Sequence, residues 1–488
     1  MFKLRHVLSY SFLALSSINP ANSFWEYKDG DGKTISFRIV PKDDTSGEDE
    51  KRLLVTTFSR MYQGYKPSAL GDQFHTHEDV DKFLVKYFDE NWKHLEEDSN
   101  KLIHLRKDGN LIGVAIVEEN GDTLHLRHFA IQTSEQGHGY GKTFIDALKR
   151  YSAFQVHQII ADTHRVYDET REFYRKTGFK EGNPHEEELK GSGLYIGLEW
   201  ESWAYTLGRH KDLLTETQYR RMLSLIEMFR GGNLPKIASP EIKAIPIVEC
   251  GETLVDVEEG LNPRIQMMPN PESHFQSPDC NSGYHCASQM RETLYKKLED
   301  MITQLDGMAS RFEYKPGQIS IRVFEGLRSL ETQKQLFEKK ATESRDALLK
   351  GERFLLPHLS DEEILTSDSF KAKVYEETIK WVSPVENNTP VHSTGGAVDI
   401  RLFDEEQQMF VDLGKFGAVW GSNPAASTFS EQITYQQKQN RLMLLIAATR
   451  ADLTNYPFEF WHFSSGDRYA AFSNELDALK RRAIYGGI

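Results

Sequence analysis

The stretch LRHFAIQTSEQGHGYGKTFIDALKR, residues 126–150, decides the architecture of the first part of the chain. A strand-like run ends at Ile131, a polar turn leads from Gln136 to Gly141, and a helix-like run follows. Glycines between a strand and a helix let backbone N–H groups approach a ligand without an intervening Cβ. The helix N-terminus adds partial positive charge at the same place. The pattern therefore predicts a cradle for a phosphate or pyrophosphate group.

Two common phosphate-binding motifs do not fit this turn. A P-loop, GxxxxGK[ST], agrees with residues 141–143 but requires glycine where Gln136 stands. A dinucleotide-binding motif, GxGxxG, could begin at Gly137 and Gly139, but its third glycine would fall on Lys142. Neither of these nucleotide-binding folds is predicted.

Hydrophobic periodicity divides the chain around this turn. Residues 24–205 alternate strand-like and helix-like runs and predict an α/β domain. Residues 206–244 contain an amphipathic stretch that ends at residues 231–232, both glycine, and predict a helical linker. In residues 245–488, long helical stretches surround short strand-like runs, which predicts a second, α+β domain. The predicted fold class is therefore α/β (α+β) with two domains.

Composition limits the class of protein. Hydrophobic residues make up 39% of the 488 residues and charged residues 27%, enough apolar material for packed cores. Lys and Arg total 59 against 73 Asp and Glu, a net charge of −14 without a basic block, which argues against a nucleic-acid partner. The absence of an apolar run of about 18 residues argues against an integral membrane span. Cys280 and Cys286 lie in a short polar loop, and whether they pair stays open.

Residues 1–23 have the order of features of a secretory signal peptide. Lys3 and Arg5 precede an apolar run, residues 7–18, and a small-x-small pattern follows it just before Phe24. Serines interrupt the apolar run, so the alternative is an apolar N-terminal segment that stays attached. Cleavage would predict a periplasmic or secreted protein, and retention a cytoplasmic one.

The glycine turn resembles the Q/R-x-x-G-x-G/A motif of the GNAT acetyltransferases, with Gln136, Gly139 and Gly141 at the motif positions. About 35 residues later, EFYRKTGF at residues 172–179 is similar to the late FYxKxGF segment of that family. The resemblance spans about residues 34–200. It implies a mixed sheet with flanking helices and an N-acetyltransferase that uses acetyl-CoA.

The same resemblance implies roles for particular residues. The strand before the turn would offer its backbone to acetyl-CoA near Ala130 and Ile131, and Tyr174 would protonate the departing thiolate. A tyrosine suits that role because its pKa, near 10, is close to that of a thiol. Tyr167 and Thr170 depart from the family pattern, where many members have Asn and Ala. The turn residues that would hold the pyrophosphate are Gln136, Gly137, His138, Gly139, Tyr140 and Gly141. No general base is assigned, and the candidates are Glu118, Glu119 and His128.

The second half of the chain carries residues suited to a metal site. The segment TPVHSTGGAVDIRLFD, residues 389–404, places His392 in a loop and Asp399 in the strand that follows two glycines. Some sixty residues later, YPFEFWHF supplies Glu459 and His462. Two imidazoles and one carboxylate are a frequent catalytic zinc set with one position open. A further carboxylate can accept a proton from water that zinc activates.

The spacing of Glu459 and His462 poses a geometrical requirement. They are three residues apart in an aromatic, strand-like run, and strict alternation would point them to opposite faces. Both can act at one place only if the backbone bulges or kinks near Phe460 and Trp461. We therefore predict such a departure from strand geometry.

These residues together resemble the D-alanyl-D-alanine dipeptidases, a branch of the zinc D,D-peptidases. The SxHxxGxAxD motif of that family corresponds to residues 390–399, with Pro390 in place of the leading serine, and its ExWH motif to residues 459–462. Upstream, VFEGLRSLETQ resembles the segment that supplies an active-site arginine. The resemblance covers about residues 245–475. It implies that His392, Asp399 and His462 bind zinc, that Glu459 is the general base, and that Arg328 stabilises the oxyanion.

Three hypotheses about the whole chain follow. In the first, an acetyl-CoA-dependent acetyltransferase is fused to a zinc dipeptidase that acts on D-Ala-D-Ala or related cell-wall peptides. In the second, the peptidase is active and the GNAT-like domain is a binding or scaffold module, because an exported acetyltransferase would lack its cytoplasmic donor. A third interpretation is a peptidase site that binds peptide without cleaving it.

Overall fold

The structure is a computed structural model. It describes residues 24–29, 32–40, 47–70, 73–92, 100–155, 157–186, 189–190, 194–260, 262–267, 288–355, 358–379, 382–386, 388–415, 424–475 and 477–488. The predicted leader, Cys280 and Cys286 lie outside the described residues. Among the described helices, none is both long enough and apolar enough to cross a membrane.

The chain forms two compact units, one from residues up to Gly208 with Glu431–Tyr435, the other from Arg209–Ser430 with Gln436–Ile488. Both combine helices with sheets, which confirms the predicted α/β (α+β) class. The predicted linker, residues 206–244, straddles the division between the units. Its part from Arg209 onward packs within the second unit. The predicted domain limits stay predictions.

The described residues of the first unit contain an eight-stranded mixed sheet. Its strands are β1 (Phe24–Lys28), β2 (Thr34–Val40), β3 (Asn100–Lys107), β4 (Asn110–Asn120), β5 (Thr123–Ile131), β6 (Gln158–His164), β7 (Lys180–Gly182) and β8 (Tyr195–Glu201). Their order is β1-β2-β3-β4-β5-β6-β8-β7, and only the β5–β6 pair is parallel. The helices are α1 (Glu48–Tyr62), α2 (His77–Trp92), α3 (Tyr140–Gln155), α4 (Asp168–Lys176) and α5 (Trp203–Gly208).

Strand β4 explains why this sheet has helices on both faces. Its run LIGVAIV is continuously apolar, as expected of a strand that is buried on both sides. Val114 and Ile116 join the core beneath α1 and α2, whereas Ala115 and Val117 join the core beneath α3. Alternate side chains of one strand therefore hold the two helical layers apart.

The described part of the second unit has a six-stranded sheet and a two-stranded one. The strands are β9 (Leu254–Asp256), β10 (Ile265–Met267), β11 (Gln289–Arg291), β12 (Ile319–Glu325), β13 (Ala397–Asp404), β14 (Met409–Phe410), β15 (Thr454–Asn455) and β16 (His462–Ser464). The larger sheet has the order β10-β12-β13-β16-β15 with β14 on β13, and β9 pairs with β11. The helices are α6 (Glu216–Arg230), α7 (Pro240–Lys243), α8 (Glu292–Met308), α9 (Leu330–Leu355), α10 (Asp361–Thr366), α11 (Asp368–Thr378), α12 (Tyr435–Arg450) and α13 (Arg468–Asn474).

Two elements form the centre of this unit. Strand β13 is buried along nearly its whole length, and α12 is buried from Arg441 through Ala448, on every side of the helix. Residues 442–448 of α12 are apolar on every side of the helix, as expected of a segment in the interior of a domain. Helix α6 contacts the segments that precede α12 and β16 through Phe229, whose ring lies 5.8 Å from Phe429 and 5.5 Å from Phe458 between centroids.

Candidate active sites

Three neighbouring strands of the second unit place one polar side chain each in the same row of the sheet. Glu325 on β12 pairs with Asp399 on β13, and Asp399 pairs with His462 on β16. An irregularity between Val323 and Glu325 shifts the register at the end of β12. Residues more than sixty positions apart in the sequence therefore lie side by side.

His392 reaches the same place from a tight turn that precedes β13. Residues 392–394 form a 3₁₀ turn that ends at Gly395, whose φ of +69° favours glycine. Position 396 also requires glycine, because a Cβ there would lie 2.7 Å from the Ser465 carbonyl oxygen. The Nδ1–H of His392 donates to the Gly326 carbonyl oxygen at 3.0 Å, so its Nε2 lone pair faces Asp399 and His462.

The three predicted metal ligands converge as a set of donor atoms. His392 Nε2 lies 3.1 Å from His462 Nδ1 and 3.4 Å from Asp399 Oδ1, and His462 Nδ1 lies 3.0 Å from Asp399 Oδ1. Donor atoms about 2.0–2.1 Å from a tetrahedral zinc ion lie about 3.3–3.4 Å from one another. The two imidazoles lower the pKa of Asp399 although burial alone would raise it, so the carboxyl group is ionised. This donor set fits a zinc ion.

Glu459 lies on a turn rather than on a strand. Its N–H donates to the Tyr456 carbonyl oxygen at 2.9 Å, and the His462 N–H donates to the Glu459 carbonyl oxygen at 3.2 Å. The predicted kink near residues 460–461 is confirmed, while the strand predicted through 458–463 is shorter and begins only at His462. Glu459 Oε2 lies 3.9 Å from His462 Nδ1 and its side chain remains 29% exposed. Partial burial raises the pKa of Glu459 above its usual range.

Arg328 follows β12 and lies in a shell of hydrogen bonds. Its Nε and Nη2 donate to the two carboxylate oxygens of Glu325 at 2.7 and 2.5 Å, and its Nη1 donates to Gln333 Oε1 at 2.7 Å. Burial alone would lower the pKa of Arg328, but the carboxylates of Glu325, Asp399 and Glu459 raise it. The guanidinium is therefore charged and held in one orientation beside Asp399 and Glu459.

The predicted phosphate cradle of the first unit is a glycine turn between β5 and α3. Gly137 and Gly139 have φ values of +81° and +86°, and a Cβ on either would meet nothing within 4 Å, so the turn is open to solvent. Gln136 closes it by donating from Nε2 to the Ile131 carbonyl oxygen at 2.9 Å. Among the described residues, no acceptor contacts the backbone N–H of residues 137–139. These groups and the start of α3 are free to bind an anion.

Strand β5 separates from β6 before it reaches this turn. The two pair only from Thr123 to His125, and a bulge at Arg127 interrupts the pairing of β5 with β4 at the same level. Beyond the bulge, the β6-facing edge of β5 has no strand partner up to Ala130 and Ile131, which are both buried. The predicted backbone site for an extended ligand arm therefore lies along an unpaired strand edge.

Comparisons with known proteins identify both units. Residues 72–193 match the family model for an acetyltransferase (GNAT) domain, and residues 364–478 match the model for D-ala-D-ala dipeptidase. Each unit therefore contains a match to one of these family models, and we call the first unit the GNAT domain and the second the dipeptidase domain. A D-alanyl-D-alanine dipeptidase of Synechocystis is 26% identical over 264 residues, which cover 50% of this chain and 94% of that protein.

Solved structures similar to the GNAT domain include two acetyltransferases. The PaiA N-acetyltransferase of Thermoplasma acidophilum, in complex with coenzyme A, is 16% identical with a TM-score of 0.28 and covers 34% of this chain and 98% of its own. A GNAT-family acetyltransferase from Elizabethkingia anophelis with acetyl-CoA bound is 16% identical with a TM-score of 0.22. The match covers 34% of this chain and 97% of that protein.

Tyr174 of the GNAT domain lies on α4 in the core between Phe173 and Phe179. Its neighbour Phe173 packs toward Phe129, and a Cβ on Gly141 would contact the Phe173 ring at 3.4 Å. Helix α4 therefore lies against β5 and the first turn of α3. Burial raises the pKa of Tyr174, so the phenol keeps its proton at neutral pH.

The remaining residues predicted for the GNAT site have structural partners. Tyr140 is buried and donates from its hydroxyl to Asp29 Oδ2 at 2.9 Å, and His138 stacks on its ring at 6.0 Å. Of the candidate bases, Glu119 pairs with Lys101 at 2.6 Å. Glu118 contacts Arg127 and Asn120, and desolvation lowers the pKa of His128 to about 3. None of the three is singled out as a base.

Two residues of the dipeptidase domain, Glu325 and Gln333, bind the arginine and are absent from the sequence-based prediction. Glu325 lies at the end of β12, and Gln333 lies in the first turn of α9. Both belong to VFEGLRSLETQ, residues 323–333, the segment that drew attention to Arg328. The sequence signal that could have predicted this pair is a carboxylate three positions before the arginine, at the end of a strand-like run.

Proposed function

We propose that the dipeptidase domain is a zinc-dependent hydrolase of D-Ala-D-Ala or related cell-wall dipeptides, and that the GNAT domain is an N-acetyltransferase using acetyl-CoA. The observation that carries the first part is the convergence of three donor atoms within 3.4 Å of one another, on β13, β16 and the turn before β13. The Synechocystis relative supports the same substrate class.

His392, Asp399 and His462 would hold the zinc ion. When bound, zinc supplies Lewis acidity that activates water and polarises a carbonyl group. The second ring nitrogen of His392 is already engaged by the Gly326 carbonyl oxygen, which fixes the tautomer that a metal ligand needs. His462 Nε2 is buried, and no described residue accepts a hydrogen bond from it.

Glu459 and Arg328 would act on the substrate itself. Glu459 is close to the three donor atoms without belonging to them, so its carboxylate can take a proton from water and pass it to the departing amine. Arg328 would donate to the oxygen that becomes negative at the scissile carbonyl, because its charge is permanent and its donors are fixed in a fork. Glu325 and Gln333 hold that fork in place before substrate binds.

Substrate preference depends partly on Pro390. This residue stands where the family motif has serine, and it offers no hydroxyl to a bound peptide. A test of the function therefore has to compare D,D- with L,D- and L,L-dipeptides rather than assume one of them.

The dipeptidase proposal predicts a strict metal requirement. The full chain should hydrolyse D-Ala-D-Ala, lose that activity when zinc is chelated, and regain it when zinc is added back. His392→Ala should stay inactive after zinc addition and bind zinc more than about 100-fold more weakly, since even supporting residues of a metal site contribute about 10–100-fold. Amine release and zinc content by mass spectrometry measure both effects. Hydrolysis that survives chelation, or a fully zinc-loaded His392→Ala chain, would contradict the proposal.

In the GNAT domain, the free edge of β5 would bind the acyl-donor arm and the glycine turn its pyrophosphate. The amine of the acceptor would attack the thioester carbonyl and release one proton to solvent, the C–S bond would break, and the Tyr174 hydroxyl would give its proton to the departing sulfur and regain one from solvent. Burial raises the pKa of Tyr174 above that of a thiol and so makes it a weaker acid than an exposed tyrosine, so its assignment as the proton donor follows from the family resemblance alone.

Gly139 gives the sharpest test of acetyl-CoA binding. Gly139→Ala should weaken acetyl-CoA binding to the full chain by at least about 10-fold, because alanine strains the positive φ and crowds the backbone N–H groups. Isothermal titration measures the affinity. Gly121→Ala is the matched control, since Gly121 also has a positive φ (+62°) with open space, but lies in the β4–β5 turn. If the wild-type chain does not bind millimolar acetyl-CoA, the GNAT domain is a scaffold instead.

A further inference from the structure

A second group of metal-ligating side chains lies in the GNAT domain, on residues that neither proposed activity uses. His125 is the last residue of β5 that pairs with β6, Asp162 lies on β6, and Glu186 follows β7. One donor atom from each lies within 4.8 Å of the other two. The group therefore stands where β5 and β6 begin to separate.

The backbone holds Glu186 over this part of the sheet. The N–H groups of His185 and Glu186 donate to the Asp162 carboxylate at 2.8 and 3.3 Å, and His185 Nδ1 lies 3.2 Å from Asp162 Oδ1. Gly197 pairs with Asp162 across the sheet, and a Cβ on it would lie 2.1 Å from the Asn183 carbonyl oxygen. The loop can fold onto Asp162 only because residue 197 has no side chain.

His125 is buried beside both carboxylates. It is 6% exposed, and its Nε2 lies 3.8 Å from Asp162 Oδ2 and 3.9 Å from Glu186 Oε1. Both separations are too long for a hydrogen bond, and no described residue offers His125 a closer partner. These separations exceed the 3.3–3.4 Å expected between ligand atoms of a bound zinc ion, so the side chains would close around a cation by about 0.5 Å.

The charges of the side chains around His125 favour a cation as the occupant of this group. Glu118, Asp162 and Glu186 bring three carboxylates together, whereas Arg127, which contacts both Glu118 and Glu186, brings one positive charge. Two negative charges are left for a divalent ion to balance.

We propose that His125, Asp162 and Glu186 bind a divalent transition-metal ion, and that the chain therefore has a metal site in its GNAT domain as well as one in its dipeptidase domain. Imidazole with two carboxylates suits zinc and its neighbours in the first transition row. His185 orients Asp162 by contacting the carboxylate oxygen that does not face His125. The site is independent of both proposed activities.

Zinc stoichiometry of the full chain tests this site. Demetallated protein is saturated with zinc, dialysed and measured by mass spectrometry for zinc bound per chain. The wild type should bind two equivalents, while His125→Asn and Glu186→Gln should each lose one and still hydrolyse dipeptide at the wild-type rate. His392→Ala should keep the equivalent that these variants lose. His75→Asn, at an exposed histidine outside the group, should keep both.

The result that overturns the proposal is specific. If His125→Asn and Glu186→Gln both keep the wild-type stoichiometry, the group binds no metal. If the wild type binds one equivalent that His125→Asn loses and His392→Ala keeps, this site stands and the zinc site of the dipeptidase domain fails. Glu186 is partly exposed and contacts Arg127 of β5, and glutamine keeps a hydrogen-bond acceptor for Arg127, so Glu186→Gln tests binding even if His125→Asn disturbs the fold.

Discussion

Glu459→Gln should leave zinc bound and lower kcat for dipeptide hydrolysis by about 10²–10⁴-fold. Glutamine keeps the size of the side chain and the turn from Tyr456 to His462, but its amide cannot accept a proton at neutral pH. Zinc content should not change, because Glu459 is not among the three converging donor atoms. Steady-state kinetics together with metal analysis of the same sample measure both quantities.

The control for this variant is Glu338→Gln, which makes the same chemical change at an exposed position on α9. It should hydrolyse dipeptide at the wild-type rate. If Glu459→Gln kept full activity, Glu459 would not be the general base. A zinc-free Glu459→Gln chain would instead make Glu459 a ligand, and the base would have to be another group.

Arg441→Met should destabilise the dipeptidase domain by more than about 3 kcal/mol. Arg441 is completely buried in α12, and its guanidinium donates at 2.7 Å to the carbonyl oxygens of Leu413, Ala425 and Ser427. Its charged group also lies 4.0 Å above the Phe460 ring. Methionine fills much of the volume but leaves these carbonyl groups buried without donors.

Urea unfolding, followed by fluorescence and by loss of dipeptidase activity, measures this change. The matched control is Arg450→Met at the exposed end of the same helix, which should change the free energy of unfolding by less than about 0.5 kcal/mol. Because Phe460 follows Glu459 directly, Arg441→Met should also lower activity before the domain unfolds. Equal stability of the two variants would show that the carbonyl groups find other donors.

The sequence was sufficient for the parts of the fold and site that depend on local patterns. The glycine turn between β5 and α3 followed from the change from strand to helix periodicity around Gly137. The approach of His392 to Asp399 followed from two glycines in a short connection. The kink beside Glu459 followed from the requirement that two side chains three residues apart serve one place.

Other features required the register of strands that are distant in sequence. The run FEFWHF was predicted as a strand because aromatic residues favour strands, yet hydrogen bonds close a turn there before β16 begins. Pro457, in the second position of that turn, was the local sign of it. The pairing of Glu325 with Arg328 depends on the bulge at the end of β12, and no periodicity predicts a bulge.

The group around His125 was equally invisible in the sequence. His125, Asp162 and Glu186 are each separated by more than twenty residues, and their approach depends on the strand order β5-β6-β8. The glycine that admits the loop, Gly197, stands in an ordinary strand pattern. The need for glycine at position 197 becomes clear only from its pairing with Asp162, where a side chain would collide with the loop.

The row formed by Glu325, Asp399 and His462 links metal binding to folding of the dipeptidase domain. The donor atoms come from chain segments that meet only when β13 and β16 are paired in register, so the unfolded chain has no equivalent site. A ligand that binds only the folded state stabilises it by mass action, by about 4 kcal/mol at a thousandfold excess over its dissociation constant. Zinc bound as proposed would therefore raise the free energy of unfolding of this domain as well as supply its activity.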